Sequence, residues 1–365
     1  MIISRRQNSI QRLYPFKRYH QMMFWIILSC LFFGRAQILI CRSSYSDSLI
    51  QKGVDHTFSC QFDSALLTFQ NLIDAYPESP LGYFYRALAL RAMMIDMESN
   101  RWEKEFEDLI DRSIDLSQKQ IEHQIENTWD YFYLGSSYFL KGFSQAKSGK
   151  IIGGVINARK GLGHLNEALK SDSTLYDVYL ILGNYDYLTG RYYKYIDWLP
   201  GISDNRQRGI ERLKIVMEHG SLSRWAGIMS LGWIEYDRKN YNRALDLFQT
   251  GNRHYPDSRF FLWALADTYL KLEQYDDAVA IYQQLLITIQ KQTVNNLYNE
   301  LVLHYQMASA YTAQQKYENA LEHCEMILEK KISGKIEEQF GSRFDKTKKM
   351  HQNCLKKLAS QSYSE

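Results

Sequence analysis

Phosphate-cradling glycines, metal-ligand clusters and nucleophile–base pairs are the patterns that would let this chain do chemistry, and it holds only fragments of each. Gly142 and Gly149-Lys150 enclose six residues, and Ile151 follows them. The segment therefore fails the GxxxxGK[ST] phosphate loop on spacing and on the hydroxyl that would meet magnesium. Gly149, Gly153, Gly154, Gly161 and Gly163 interleave with Ile151, Ile152, Val155 and Ile156 at helical spacing, which reads as close helix packing. Glu322-His323-Cys324-Glu325 lacks the second His of HExxH, and the nine His are scattered. No GxSxG elbow and no CxxC pair occur. Of Cys30, Cys41, Cys60, Cys324 and Cys354, the pair considered for a disulfide is Cys324 with Cys354; buried or free thiols on helices are the preferred reading. Glu103, Glu105, Glu107 and Asp108 form an acidic helix face with no rigid pocket to hold them, so they read as solvated surface. No catalytic, cofactor-binding or metal-ligating residue is assigned, and a non-enzyme is expected.

The elements come next. Only 5 of 365 residues are Pro, while 14% are aromatic. That balance excludes collagen-like, Pro-rich and disordered chains and favours long helices. Net charge is +3, but residues 37–329 hold 29 basic and 37 acidic residues, and 330–357 hold nine basic and three acidic. An acidic body with a basic tail argues against a nucleic-acid partner, which would demand one broad basic face.

Residues 1–36 carry six Lys/Arg and no acid, and Met22–Gly34 is a thirteen-residue apolar run ending in Gly34-Arg35-Ala36. Basic start, short apolar core and small-residue exit are the parts of a secretory signal peptide, cut ahead of Gln37. An uncleaved membrane anchor is the alternative. Export to the periplasm or cell envelope is expected on either reading.

A fixed grid recurs along the body. Leu231-Gly232, Tyr241, Ala244, Phe248 and Tyr255-Pro256 define it; Gly53, Phe62, Ala65, Phe69 and Tyr76-Pro77 repeat it. Leu265-Ala266, Tyr269, Tyr275, Ala278 and Tyr282 follow it, as do Met307-Ala308, Tyr311, Tyr317, Ala320 and Cys324. Small residues in two successive helices let their backbones approach, and a large residue one turn later fills the space against the next hairpin. At these positions the chain resembles tetratricopeptide-repeat (TPR) proteins. The resemblance implies an all-α, right-handed α-solenoid of about seven TPR-like hairpins over 46–332. A basic C-terminal capping helix at 336–358 follows, with Phe340, Phe344 and Leu355 on its packed side. Each hairpin would bury its faces on its chain neighbours alone.

Two hairpins carry additions. Gly135 to Gly161 and Gly183 to Gly209 each span 26 residues, fourteen beyond the usual twelve. The equal lengths suggest one shared elaboration, helical near 143–160 and an aromatic loop near 190–204, with Tyr192, Tyr193, Tyr195 and Trp198. The combination is similar to an uncharacterised group of exported bacterial TPR proteins, which carries no activity over.

In TPR proteins partners lie along the first-helix face. Helical spacing places Trp129, Phe132, Asn184, Tyr187, Met229, Trp233, Tyr236, Trp263 and Asp267 there. Large aromatics on an open groove are interface anchors, so an apolar or aromatic segment is the expected ligand; the alternative is that half of these residues pack inside the superhelix. Carboxylate-clamp TPR modules use Lys, Arg and Asn on this face; only Asn184 fits, so capture of a chaperone's C-terminal carboxylate is not expected. The functional expectation is a non-enzymatic protein–protein interaction scaffold of the cell envelope, binding a peptide or partner segment, with no cofactor. The alternatives are a membrane-tethered envelope-assembly factor and, last, an enzyme with a pocket walled by the insertions.

Overall fold

A computed structural model describes residues 44–123, 128–196, 203–220, 222–292 and 297–362. Residues 1–36, Trp198 and the side chain of Tyr195 lie outside the described part. The described residues form sixteen helices and no strand. They run as seven hairpins: α1 (Ser44–Phe58) with α2 (Phe62–Ala75), α3 (Pro80–Asp96) with α4 (Glu103–Glu122), and α5 (Thr128–Lys147) with α6 (Ile151–Ser171). Then come α7 (Val178–Arg191), the single turn α8 (Tyr193–Ile196) and α9 (Arg206–His219). The hairpins α10 (Arg224–Asp237) with α11 (Tyr241–His254), α12 (Arg259–Lys271) with α13 (Tyr275–Gln290), and α14 (Leu297–Ala313) with α15 (Tyr317–Leu328) follow, closed by α16 (Gly334–Ser362). This is the all-α hairpin construction expected from the grid.

The turns explain the regularity. Cys60, Lys239, Glu273 and Gln315 have φ of 57°, 64°, 60° and 60°, and each stands five residues before the small residue of its second helix (Ala65, Ala244, Ala278, Ala320). A left-handed residue just past a helix lets a later N–H return to the last open carbonyls. Gln61 N–H does so to His56 at 2.8 Å, Gln274 to Tyr269 and Lys316 to Tyr311, both at 2.9 Å. The four Ala side chains are wholly buried, so turn and contact point keep one register in four hairpins.

Contacts divide the described chain into two compact units, 117–238 and a discontinuous one formed by 44–116 with 239–362. In the first, α5 crosses α6 at Gly135 and Gly161, and α7 crosses α9 at Gly183 and Gly209. A Cβ on Gly161 would lie 2.5 Å from the Gly135 carbonyl oxygen, and one on Gly209 would lie 2.6 Å from that of Gly183. The two crossings are the same joint, but the two fourteen-residue additions are not the same elaboration. The first lengthens both helices, with a second glycine contact at Gly142 and Gly154 and a tight turn at Gly149 (φ 83°). The second leaves α7 and α9 at 14 residues each and goes into α8 and the link to Asn205. Equal length concealed different structure, because only the first addition carries helix-forming residues with glycines at the seam.

In the discontinuous unit, the expectation that hairpins touch only chain neighbours is corrected. Asp96, at the end of α3, accepts from Arg259 at the start of α12: Nε at 2.8 Å and Nη2 at 2.7 Å. Asn299 of α14 donates to the Asp96 carbonyl oxygen at 2.6 Å. Phe58 stacks on Tyr255 at 5.1 Å, and the Tyr255 hydroxyl donates to Asp55 at 2.7 Å. The acidic face of α4 is also less solvated than expected: Glu103 pairs with Arg91 at 3.0 Å and Glu105 with Arg86 at 2.9 Å.

Helix α16 packs on α14 and α15 through Phe340, Phe344 and the wholly buried Cys354. Leu355 is 48% exposed, contrary to expectation. Positions 340, 344, 347, 351, 354 and 358 follow one stripe at three- and four-residue steps, and 355 lies about 60° off its centre line. Cys324 and Cys354 are free thiols, and burial pushes the Cys324 thiol up to about 12, helped by Cys354 and Glu325. No described helix is long and apolar enough to cross a membrane.

One histidine pair in this unit resists protonation, chiefly through burial. His304 of α14 and His323 of α15 meet with their Nδ1 atoms 3.0 Å apart, and Tyr311 stacks on His323 at 5.6 Å. Burial, then the His323 ring and Lys330, hold His304 down at about 4. Below pH 6.5 the unfolded chain takes up a proton that the fold refuses, so stability falls as pH drops from 6.5 towards 4. His304→Leu is expected to flatten that part of the urea-midpoint-against-pH curve, worth on the order of 2 kcal/mol. An unchanged slope would place the titration elsewhere.

Candidate partner-binding surface

The expected groove residues divide by burial. Phe132, Asn184, Tyr187, Met229 and Trp233 are all buried, which corrects their reading as open anchors. Trp129 is half-buried, edge-on to Phe132 at 5.6 Å and stacked on Tyr133 at 6.0 Å. Tyr236 is half-buried against Trp233 at 5.3 Å. In the other unit, Trp263 is half-buried against Tyr282 at 6.1 Å, and Asp267 accepts from the Tyr282 hydroxyl at 3.1 Å.

The buried set has a structural job. Asn184 Nδ2 donates to Ser230 Oγ at 3.1 Å, and the Tyr187 hydroxyl donates to Asp237 at 2.8 Å. Arg191 grips the same carboxylate through Nε at 2.7 Å and Nη2 at 3.1 Å. Ser223 donates to Asp177. Three of these four links join residues 46 apart, so they form a polar ladder tying α7 to α10 in register. Buried polar groups are retained where they are paired, which explains Asn184 without any ligand. Burial, then Asp237, pushes the Tyr187 phenol well above its ordinary value, so it stays a donor.

Beside the ladder lies a cavity of about 370 Å³ lined by Tyr187, Asp204, Arg206, Gln207, Ile210 and Arg238. Asp204 ends the second insertion, so one wall of this cavity does come from it. Helix α9 supplies Arg206, Gln207 and Ile210, and it is seated by Asp186 of α7. Asp186 is buried and accepts from Arg208 at 2.7 and 2.8 Å and from Arg212. Arg206 and Arg238 are half-exposed in their side chains. Arg206 spends Nε and Nη2 on Asp204 at 2.9 and 2.7 Å; Arg238 spends Nη1 on Glu235 at 3.4 Å. A guanidinium carries five N–H donors, so both keep donors for a guest. Ile210 adds an apolar floor. Among the described residues no group of three or more His, Cys, Asp or Glu is placed to hold a metal.

Residues 235–301 match a tetratricopeptide-repeat family model. Over that span the chain carries tetratricopeptide repeats. The matched span covers the hairpin α12–α13, where Leu265-Ala266, Tyr275, Ala278 and Tyr282 follow the grid. Among solved structures, the chain is similar to the C-terminal part of a TPR repeat-containing protein from Cytophaga hutchinsonii: 17% identity, covering 80% of this chain and 96% of that one, TM-score 0.42. It is also similar to a tetratricopeptide repeat protein from Parabacteroides merdae, at 16% identity over 86% of this chain and 100% of that one, TM-score 0.34. Comparison with curated proteins finds no match.

Counted by hairpin, α7 and α10 are the first helices of the fourth and fifth hairpins, and α9 is the second helix of the fourth. The cavity therefore sits where two first helices end and a second helix begins, and of the residues that helical spacing selected only Tyr187 lines it. Sequence reasoning passed over Arg206, Gln207 and Arg238 because it sought aromatics. The signal available was the run Asn205-Arg206-Gln207-Arg208 ahead of Arg212, three arginines with acids at 186 and 204 to meet them.

Proposed function

We propose that this TPR protein is a non-enzymatic interaction scaffold of the cell envelope, and that the cavity beside Tyr187 takes a partner segment carrying a carboxylate next to an apolar side chain. The observation behind this reading is the pairing of half-exposed Arg206 and Arg238 with Ile210 around one cavity. Arg forks donate two parallel hydrogen bonds to a carboxylate, and Asp204, itself exposed, is a partner that a guest carboxylate can replace. Envelope location rests on the export signal read at residues 1–36, and recovery of a cytoplasmic protein still beginning at Met1 would overturn it.

The binding reading is tested by panning a random twelve-residue peptide library against the protein. Enriched peptides are expected to carry Asp or Glu beside an apolar residue. Arg206→Glu with Arg238→Glu should weaken them about thirtyfold by fluorescence anisotropy, the loss of an interface anchor worth about 2 kcal/mol. Both side chains are half-exposed, so the helical circular dichroism should not change. Equal affinity of the double variant would overturn the assignment. Trp233→Ala is no test of binding, because Trp233 is buried and its removal would act on stability.

A further inference from the structure

We propose that the projecting end of the α5–α6 hairpin is a docking surface for an anionic lipid bilayer. Nine large apolar side chains are exposed among the described residues, and three of them, Ile151, Ile152 and Ile156, fall within the first two turns of α6. Ile152 is 80% exposed and Ile156 51%. They are four residues apart, so they share one face. Arg159 continues that stripe one turn on, and Gly163 after it has nothing within 4 Å of its Cβ position. The glycine seam turned toward α5 is the opposite side: Gly154 and Gly161 meet Gly142 and Gly135. Close packing along that seam holds the far end rigid and leaves the isoleucines outward.

Charge selects the occupant. Residues 131–166 contain Lys141, Lys147, Lys150, Arg159 and Lys160 and no Asp or Glu. This is a basic island in a body whose residues 37–329 are otherwise acidic. Lys147 and Lys150 flank the tip turn, and both are exposed. Exposed branched apolar side chains ringed by Lys and Arg are what an interfacial segment needs: the cations meet lipid phosphates while the apolar groups enter the acyl boundary. An acidic or purely polar protein surface would leave Ile152 and Ile156 without apolar cover. The site is separate from the cavity beside Tyr187 and does not depend on the peptide-binding reading.

Hydrogen–deuterium exchange on the full chain tests this locally, so membrane contact by residues 1–36 does not mask it. Vesicles of 30% phosphatidylglycerol in phosphatidylcholine are expected to protect peptides covering 147–158, and pure phosphatidylcholine vesicles to leave them unchanged. Ile152→Asp with Ile156→Asp should remove that protection. So should Lys147→Glu with Lys150→Glu, and either pair should lower the tip's apparent lipid affinity about tenfold. All four side chains are exposed, so unchanged circular dichroism is expected. Exchange at 147–158 that ignores both vesicles would overturn the proposal, as would equal protection by the uncharged ones. Protection that rises with protein concentration without lipid would assign the face to a second copy of the chain instead.

Discussion

Asp96→Ala is expected to destabilise the protein by about 3–5 kcal/mol, read as a drop in the urea midpoint. Asp96 and Arg259 are both buried. The Asp96 carboxylate takes both Nε and Nη2 of Arg259 and also Gln292 Nε2 at 3.0 Å. The Arg259 guanidinium lies over the Phe62 ring at 5.9 Å and reaches the Cys60 carbonyl oxygen at 3.5 Å. Removing one member of a buried pair leaves an uncompensated charge in a poor dielectric, which is the costly case. Arg259→Ala should cost a similar amount. Replacing both, Asp96→Leu with Arg259→Met, should recover most of it, since well-packed apolar groups often match a buried ion pair. Single variants within 1 kcal/mol of the parent would mean that the two ends of this unit are held by the Phe58, Tyr255 and Phe261 stack instead.

The second large effect concerns the glycine joints, where two substitutions two residues apart should act with opposite sign. Gly161→Ala is expected to cost about 2–3 kcal/mol. Its new Cβ would meet the Gly135 carbonyl oxygen at 2.5 Å and the Phe139 nitrogen at 2.7 Å. Both are backbone atoms, so no side chain can swing aside and the helices must part. Gly163→Ala, on the same helix, meets nothing within 4 Å. It should stabilise by about 0.5–1 kcal/mol, because Ala loses less backbone freedom than Gly on entering a helix. Gly209→Ala should copy Gly161→Ala, with the Gly183 oxygen at 2.6 Å and the Tyr187 nitrogen at 2.7 Å. Equal and small changes at 161 and 163 would show that the crossing yields more readily than these distances allow.

The sequence by itself determined the hairpins and their joints. Backbone approach demands a small residue at a fixed step from the turn, so Ala65, Ala244, Ala278 and Ala320 mark the register in any single chain. The matching 26-residue intervals from Gly135 and Gly183 mark the two glycine crossings for the same reason. Phe340 at the cap was legible from spacing alone; Leu355 was not, since neighbouring positions on a long charged helix differ by a rotation that only the packed partner fixes.

Tertiary structure decided the rest. Helical periodicity says which face is apolar and nothing about what covers it, so Phe132, Tyr187 and Trp233 read as groove anchors and proved to be core. Asn184 read as a ligand-facing amide and proved to be a rung between α7 and α10. The converse holds at Ile152 and Ile156, whose apolar pattern reads as core and whose side chains face out, because the glycine seam occupies the inner face of α6. Asp96 and Arg259 stand 163 residues apart, and nearest-neighbour stacking gives no reason to join them. Their pairing depends on where the intervening chain returns, which is a sum of small angles at every hairpin and is encoded at no single residue.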